Sequence, residues 1–165
     1  LIYAAFSSQF SLFKNVSKIP KIDISHKDHQ EISPLIYGCF NDDFKLVSFI
    51  LNSPLSKFVD VNSRIDLADI GPLHIACYNN NIEIVKLLLL QPNIDVNSQS
   101  YVNTRISPLI IACQNGFFEI VDLLLKNKSI NVNIMTYDVL FYFFFIIILL
   151  FIMHVKVEEL ILLNY

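Results

Sequence analysis

GPLHIACYNNNIEIVKLLLLQPNIDVN, residues Gly71 to Asn97, decides the fold. Gly71-Pro72 opens a helix, because proline at the first helical position gives up no needed donor and presets φ. Leu73, Ala76 and Cys77 then stand at i, i+3 and i+4, one apolar face of a short helix. Asn80 and Asn81 end it, asparagine being tolerant of the left-handed angles of helix ends. Ile84, Val85, Leu88 and Leu89 set a second apolar stripe at helical spacing. Gln91-Pro92-Asn93 stops that helix, and the alternation of Ile94 to Asn97 predicts a short extended return. Two such helices cannot bury both stripes alone, so the stretch needs copies of itself alongside.

The copies are present. Ser107 to Asn133, SPLIIACQNGFFEIVDLLLKNKSINVN, repeats the pattern almost position for position. Ser33 to Asn62, SPLIYGCFNDDFKLVSFILNSPLSKFVDVN, repeats it with three extra residues in the return. The opening LIYAAFSSQFSLFKNVSKIPKIDIS begins inside a further copy, where Phe10, Leu12, Phe13 and Val16 supply the second stripe. Leu1, Leu35, Leu73 and Leu109 hold one phase, at intervals of 34, 38 and 36 residues. The unit boundaries follow as 1–25, 26–62, 63–97 and 98–133, with 134–165 a degenerate fifth. Because the chain opens on a leucine inside a unit, it reads as a fragment.

Each unit carries its own start and stop. Ser33-Pro34 and Ser107-Pro108 combine a capping hydroxyl with a first-turn proline. Asp42, Asn80 and Gly116 each follow their motif leucine by seven residues, and all three are types that accept left-handed backbone. Cap, stop and stripe agree in every unit, which is what a sequence specifying one structure looks like.

These units resemble ankyrin repeats, whose signature is T-P-L-H-x-A at a period of about 33 residues. The matching hexads are Gly71-Pro72-Leu73-His74-Ile75-Ala76, Ser107-Pro108-Leu109-Ile110-Ile111-Ala112 and Ser33-Pro34-Leu35-Ile36-Tyr37-Gly38. Second-helix matches are Glu83-Ile84-Val85-Lys86-Leu87-Leu88 and Glu119-Ile120-Val121-Asp122-Leu123-Leu124. Ser or Gly replaces the threonine, and the histidine survives only as His74. The resemblance implies an all-α, ankyrin-type helix-turn-helix repeat solenoid with short β-hairpin-like loops. It also implies a structural His74, bonding within its turn.

Composition narrows the function. The formal net charge is −3, so no cationic surplus exists to neutralise phosphates, and nucleic acid is not expected as a partner. Glycine stands only at 38, 71 and 116, which leaves no glycine-rich phosphate loop. No Ser, Cys or Asp is paired with His74 across units, and the chain reads as non-enzymatic, without cofactor. His26, Asp28, His29 and Glu31 cluster, but without a cysteine or a second half the cluster reads as a solvated loop tip and not a metal site. Cys39, Cys77 and Cys113 occupy one position in three units and read as small core residues. An odd cysteine count with no signal peptide fits a reducing, cytoplasmic setting. The sequons at Asn15 and Asn127 fall in or beside second helices and read as chance matches.

Ankyrin-like arrays bind proteins on a concave face, built from the loop tips and the outer positions of each first helix. Carried onto this sequence, the tips are His26 to Gln30, Ile65 to Asp69 and Tyr101 to Arg105. The partner-binding candidates so implied are Phe40, Asn41, Asp66, Asp69, Tyr78, Asn79, Tyr101, Arg105, Gln114 and Asn115. Phe40 and Tyr78 are aromatic where the family often has polar residues, and aromatics are common interface anchors. Packing along the helix row is the other reading of the same two side chains.

The tail breaks the pattern. VLFYFFFIIILLFIM, residues 139–153, is 15 consecutive apolar residues, short of the ~20 that a membrane-spanning helix needs. Three readings stand: the first helix of a fifth unit, a short membrane segment tethering the array, or a coding artefact. Val155 to Leu163 favours the first, since it resembles a second repeat helix. The expected function is a protein–protein interaction scaffold; the alternative is the cytoplasmic part of a membrane-anchored sensor or channel-type protein.

Overall fold

The computed structural model describes residues 1–65, 68–100 and 105–134. Eight α-helices lie among them: α1 Ile2–Phe6, α2 Phe10–Val16, α3 Pro34–Phe40, α4 Phe44–Asn52, α5 Pro72–Tyr78, α6 Ile82–Leu89, α7 Pro108–Gln114 and α8 Phe118–Leu125. The proline-led starts fall as expected. Ser33 Oγ accepts from Ile36 N at 3.3 Å, and Ser107 Oγ accepts from Ile110 N at 3.3 Å. Gly71 has no hydroxyl to offer; there His74 Nδ1 accepts from Gly71 N at 3.4 Å. Gly71 is tolerated for a second reason: a Cβ would sit 3.1 Å from the Ser63 carbonyl oxygen.

The turns between paired helices repeat one geometry. Ser8, Asp42, Asn80 and Gly116 all have positive φ, at 53°, 51°, 55° and 70°. The next amide closes the turn on the helix just ended. Gln9 N reaches Ala4 O, Asp43 N reaches Gly38 O, Asn81 N reaches Ala76 O and Phe117 N reaches Ala112 O, all at 2.9–3.0 Å. Two closing residues also cap the next helix: Asp43 Oδ1 accepts from Leu46 N and Asn81 Oδ1 from Ile84 N, each at 3.0 Å.

The helices form two layers. α1, α3, α5 and α7 pack in succession, as do α2, α4, α6 and α8, and each first helix packs on its own second helix. The core lies between the layers and repeats with them. Leu35, Leu73 and Leu109 are buried, and so are Leu46, Ile84 and Ile120, then Ile50, Leu88 and Leu124. Burying each such side chain contributes about 1.5–3 kcal/mol, but only because the neighbouring pair covers it.

Two expectations need correcting. Leu12 is 42% exposed although its counterparts Leu46, Ile84 and Ile120 are fully buried. α4, α6 and α8 each pack on the second helix before them, and among the described residues no earlier second helix stands against α2. Phe13 fills the core of that pair instead, fully buried and edge-on to Phe49 at a centroid distance of 6.3 Å. Ile94 and Asp95 form no strand, and Val96 and Asn97 lie in a turn, where an extended segment is expected. Asp95 Oδ1 captures Asn97 N at 3.0 Å, a local bond that outcompetes extended pairing. Asp23, Asp60 and Asn131 do the same two residues on, at 2.8–3.0 Å. The three extra residues of the second return are taken up near a 3-10 turn, Ser56–Phe58.

The loops between pairs are hairpin-like without strand, among the described residues. Asp28 N bonds Ile32 O, Ile65 N bonds Ile70 O and Ser100 N bonds Ile106 O, at 3.0–3.2 Å. Glu31, Asp69 and Arg105 take positive φ to close them. The fifth-unit expectation for 134–165 and the apolar run 139–153 fall outside the described residues, apart from Ile134. Among the described residues no helix is long and apolar enough to cross a membrane.

Candidate functional site

The free side of the first-helix layer is where the candidate residues gather. Position five after each motif leucine holds Phe6, Phe40, Tyr78 and Gln114. Phe6 is 59% exposed, Phe40 44% and Tyr78 69%. Packing along the row therefore leaves much of these rings in water. Tyr3 and Tyr37 stand one turn earlier on the same faces. The Phe6 and Tyr37 rings meet edge-on, 5.5 Å between centroids and 83° between planes. One polar group anchors this cluster. Tyr37 Oη donates to Asp28 Oδ2 at 2.6 Å, while Asp28 Oδ1 accepts from Gln30 N and Ile32 N at 2.9 and 3.0 Å. Partial burial works against the Asp28 charge, but the Tyr37 hydroxyl and the two amides outweigh it and hold the carboxyl below its usual range. Burial and the bond to Asp28 push the Tyr37 phenol up to about 12.

Asn41 and Asn79 lie beside these rings, and their amides are engaged within the array. Asn41 Nδ2 donates to Ala5 O at 3.1 Å and to Phe6 O at 3.0 Å. One unit on, Asn79 Nδ2 donates to Cys39 O at 3.2 Å and to Asp42 Oδ1 at 3.1 Å. Each thus ties the unsatisfied carbonyl end of one first helix to the next. Asn115 does not continue the series; its Nδ2 turns back to Ile111 O at 2.8 Å. Gln114 is exposed at the end of the row.

The loop candidates divide. Asp69 pairs with Arg64 Nη1 at 2.9 Å, and the same nitrogen donates to Gln99 O at 2.9 Å, bridging to the following loop. Arg105 is exposed and its carbonyl accepts from Gln99 Nε2 at 3.0 Å. Asp66 and Tyr101 lie outside the described residues. At the first tip, Glu31 pairs with Lys27 at 3.0 Å while Asp28 serves Tyr37. Among the described residues, no group of three or more His, Cys, Asp or Glu side chains is placed to hold a metal ion.

The groups with possible chemistry are sealed. His74 is 2% exposed, and among the described residues its Nε2 has no hydrogen-bond partner. Burial, reinforced by Arg64, lowers its pKa to about 4, against the opposing pull of the Ile106 and Ser98 backbone. The imidazole is neutral at pH 7 and structural. Cys39, Cys77 and Cys113 are free and buried, and burial raises all three thiols, Cys113 to about 12.

Sequence reasoning missed a second asparagine series on the returns. Asn62 Nδ2 donates to Asn93 O at 2.7 Å and its Oδ1 accepts from Asp95 N at 2.9 Å. Asn97 repeats this with Ser129 O and Asn131 N, both at 2.7 Å. Tyr3 and Phe6 were missed too, although Phe6 shares its phase with Phe40 and Tyr78.

A family model described as ankyrin repeats (3 copies) matches residues 1–100 and again 73–142. Among curated proteins, no match was found.

Proposed function

The chain belongs to the ankyrin repeat family, and from that premise we propose that it is a non-catalytic scaffold for a protein partner. Ankyrin repeats are in general protein-interaction modules, and the reading here locates the contact on the first-helix layer, with units 1–25, 26–62, 63–97 and 98–133. The observation that carries it is the exposed row of Phe6, Phe40 and Tyr78. Large rings left in water on a packed scaffold are the side chains that most often anchor interfaces. Asn41 and Asn79 hold the helix ends that present these rings, so their contribution to binding is indirect. The three free thiols are compatible with a reducing compartment, which supports the reading that the array works in the cytoplasm.

The test is affinity capture with the tagged chain and with a Phe40→Ala/Tyr78→Ala variant. Both positions are exposed, so the variant should fold, and captured proteins should be lost or strongly reduced. Equal capture by variant and wild type removes the face from consideration.

A second reading makes the array the cytoplasmic part of a membrane-anchored sensor or channel-type protein. The apolar run 139–153 favours it. Retention of the full chain in the membrane fraction after alkaline extraction, with release on deleting 139–153, would support it; a full chain that washes off would exclude it.

A further inference from the structure

The binding face is uneven along the array. Positions two and five after the motif leucine read Tyr3/Phe6, Tyr37/Phe40, Ile75/Tyr78 and Ile111/Gln114. Aromatic surface therefore concentrates on α1 and α3 and fades towards α7. Charge is uneven as well. Between residues 26 and 43, Asp28, Glu31, Asp42 and Asp43 face a single cation, Lys27, and that lysine is already paired with Glu31. Asp28 is tied to the Tyr37 hydroxyl, and Asp42 sits in the turn after Phe40, accepting from Asn79 and Asn81 at 3.1 and 3.3 Å. Carboxylates thus flank the aromatic pair of α3 on both sides. The cations of the same two helix pairs are elsewhere. Lys14 and Lys45 lie on second helices, and Lys18, Lys21 and Lys57 follow them towards the returns. The two cation–ring contacts, Lys14 on Phe10 at 6.0 Å and Lys57 on Phe58 at 4.8 Å, also lie off the first-helix layer.

We propose that the N-terminal half of this face takes a basic peptide segment, seating an arginine or lysine on the Phe6 ring, which meets the Tyr37 ring whose hydroxyl holds the Asp28 carboxylate. The inference rests on the reading that this face binds protein, and it adds the chemistry of what binds. A cation is drawn to the negative face of an aromatic ring, and more so where a carboxylate stands next to it. Asp28 keeps its charge because its three hydrogen bonds favour the ionised form. An acidic segment would bring like charges together at both ends of α3, and a neutral one would leave this field unused.

The experiment is selection from a displayed library of random 12-residue peptides on the full chain, followed by affinity measurement on the enriched sequences. The expected result is enrichment of arginine and lysine, with binding that weakens as salt is raised. Phe6→Leu keeps apolar bulk and removes the ring face. Asp28→Asn keeps an acceptor and removes the charge. Each should weaken the basic peptides about three- to fivefold, with the unfolding midpoint checked alongside. Basic peptides indifferent to both changes would overturn the inference, and so would a failure to enrich any peptide. Neutral or acidic peptides that are lost in Phe40→Ala/Tyr78→Ala would overturn it while leaving the binding face intact. Peptides indifferent to Phe40 and Tyr78 as well would remove both readings.

Discussion

Asn79→Ala should destabilise the array, whereas Asn115→Ala, at the same place one unit on, should scarcely matter. The two asparagines are identical in phase and differ in what they hold. Asn79 Nδ2 bonds the Cys39 carbonyl at 3.2 Å and the Asp42 carboxylate at 3.1 Å, both in the preceding unit. Among the described residues, Asn115 Nδ2 bonds only its own helix, at Ile111 O. A neutral hydrogen bond contributes about 0.5–1.5 kcal/mol net and one to a charged group about 1.5–3. Asp42 is exposed, so its share is taken near the low end, which puts the loss for Asn79→Ala at about 2 kcal/mol. Asn115→Ala also removes an exposed side chain and should stay within about 0.5 kcal/mol. Urea unfolding followed by far-ultraviolet circular dichroism reads the difference. With a slope of about 2 kcal/mol/M, Asn79→Ala should lower the midpoint by about 1 M. Equal midpoints for the two variants would refute the stapling role and return Asn79 to the list of free contact residues. A binding defect in Asn79→Ala should therefore be read only after its stability is known.

Other expectations follow from burial. His74 has a folded pKa of about 4 against an ordinary value near 6.5, so between those values the unfolded chain binds the extra proton. Its contribution is whole above pH 6.5 and is lost as pH falls towards 4, by up to about 3 kcal/mol; urea midpoints at pH 7.5 and 4.5 should show this, and His74→Gln should flatten that part of the slope. The three thiols should resist a thiol reagent in the native state and react together on unfolding, since all are buried and raised in pKa; fast labelling of one cysteine in folded protein would contradict its burial. Asn97→Ala removes two bonds of 2.7 Å between successive returns and should cost about 1–3 kcal/mol by the same unfolding assay, while Asn133→Ala, whose own amide is what Asn131 captures, should cost less.

The fold was legible because the burial pattern is periodic. Leu35, Leu73 and Leu109 hold their phase, and the pattern of buried side chains repeats with them. The left-handed turns at Asp42, Asn80 and Gly116 were legible because residue type announces them. Glu31 and Arg105 adopt positive φ without that announcement: loop closure imposes the angle on residue types that do not favour it. The return at Ile94 to Asn97 misled because alternation of apolar and polar residues describes a strand and an aspartate-led turn equally well. Only the Asp95 side chain, which captures the amide two residues on, separates them.

The candidate site was legible in part. Phase located Phe40 and Tyr78, and their exposure agrees with a surface role. The roles of Asn41 and Asn79 were not legible, because their acceptors lie one unit back and depend on how the units stack. Their recurrence at the sixth position after the leucine, and that of Asn62 and Asn97 on the returns, was the available signal. A polar residue repeating in phase on a stacked array can serve the stack as readily as a partner. That consideration separates the rings, which are left in water, from the amides beside them, which are spent on the array.

Stacking of successive helix pairs is tested most directly by native-state hydrogen exchange on Leu88→Ala. Leu88 is fully buried in α6, which packs on both α4 and α8, and its truncation should cost about 2–5 kcal/mol. Exchange should accelerate in α4 and α8 along with α6, since each pair is stable only while its neighbour covers it. Acceleration confined to α6, with α4 and α8 as protected as in the parent chain, would contradict the account.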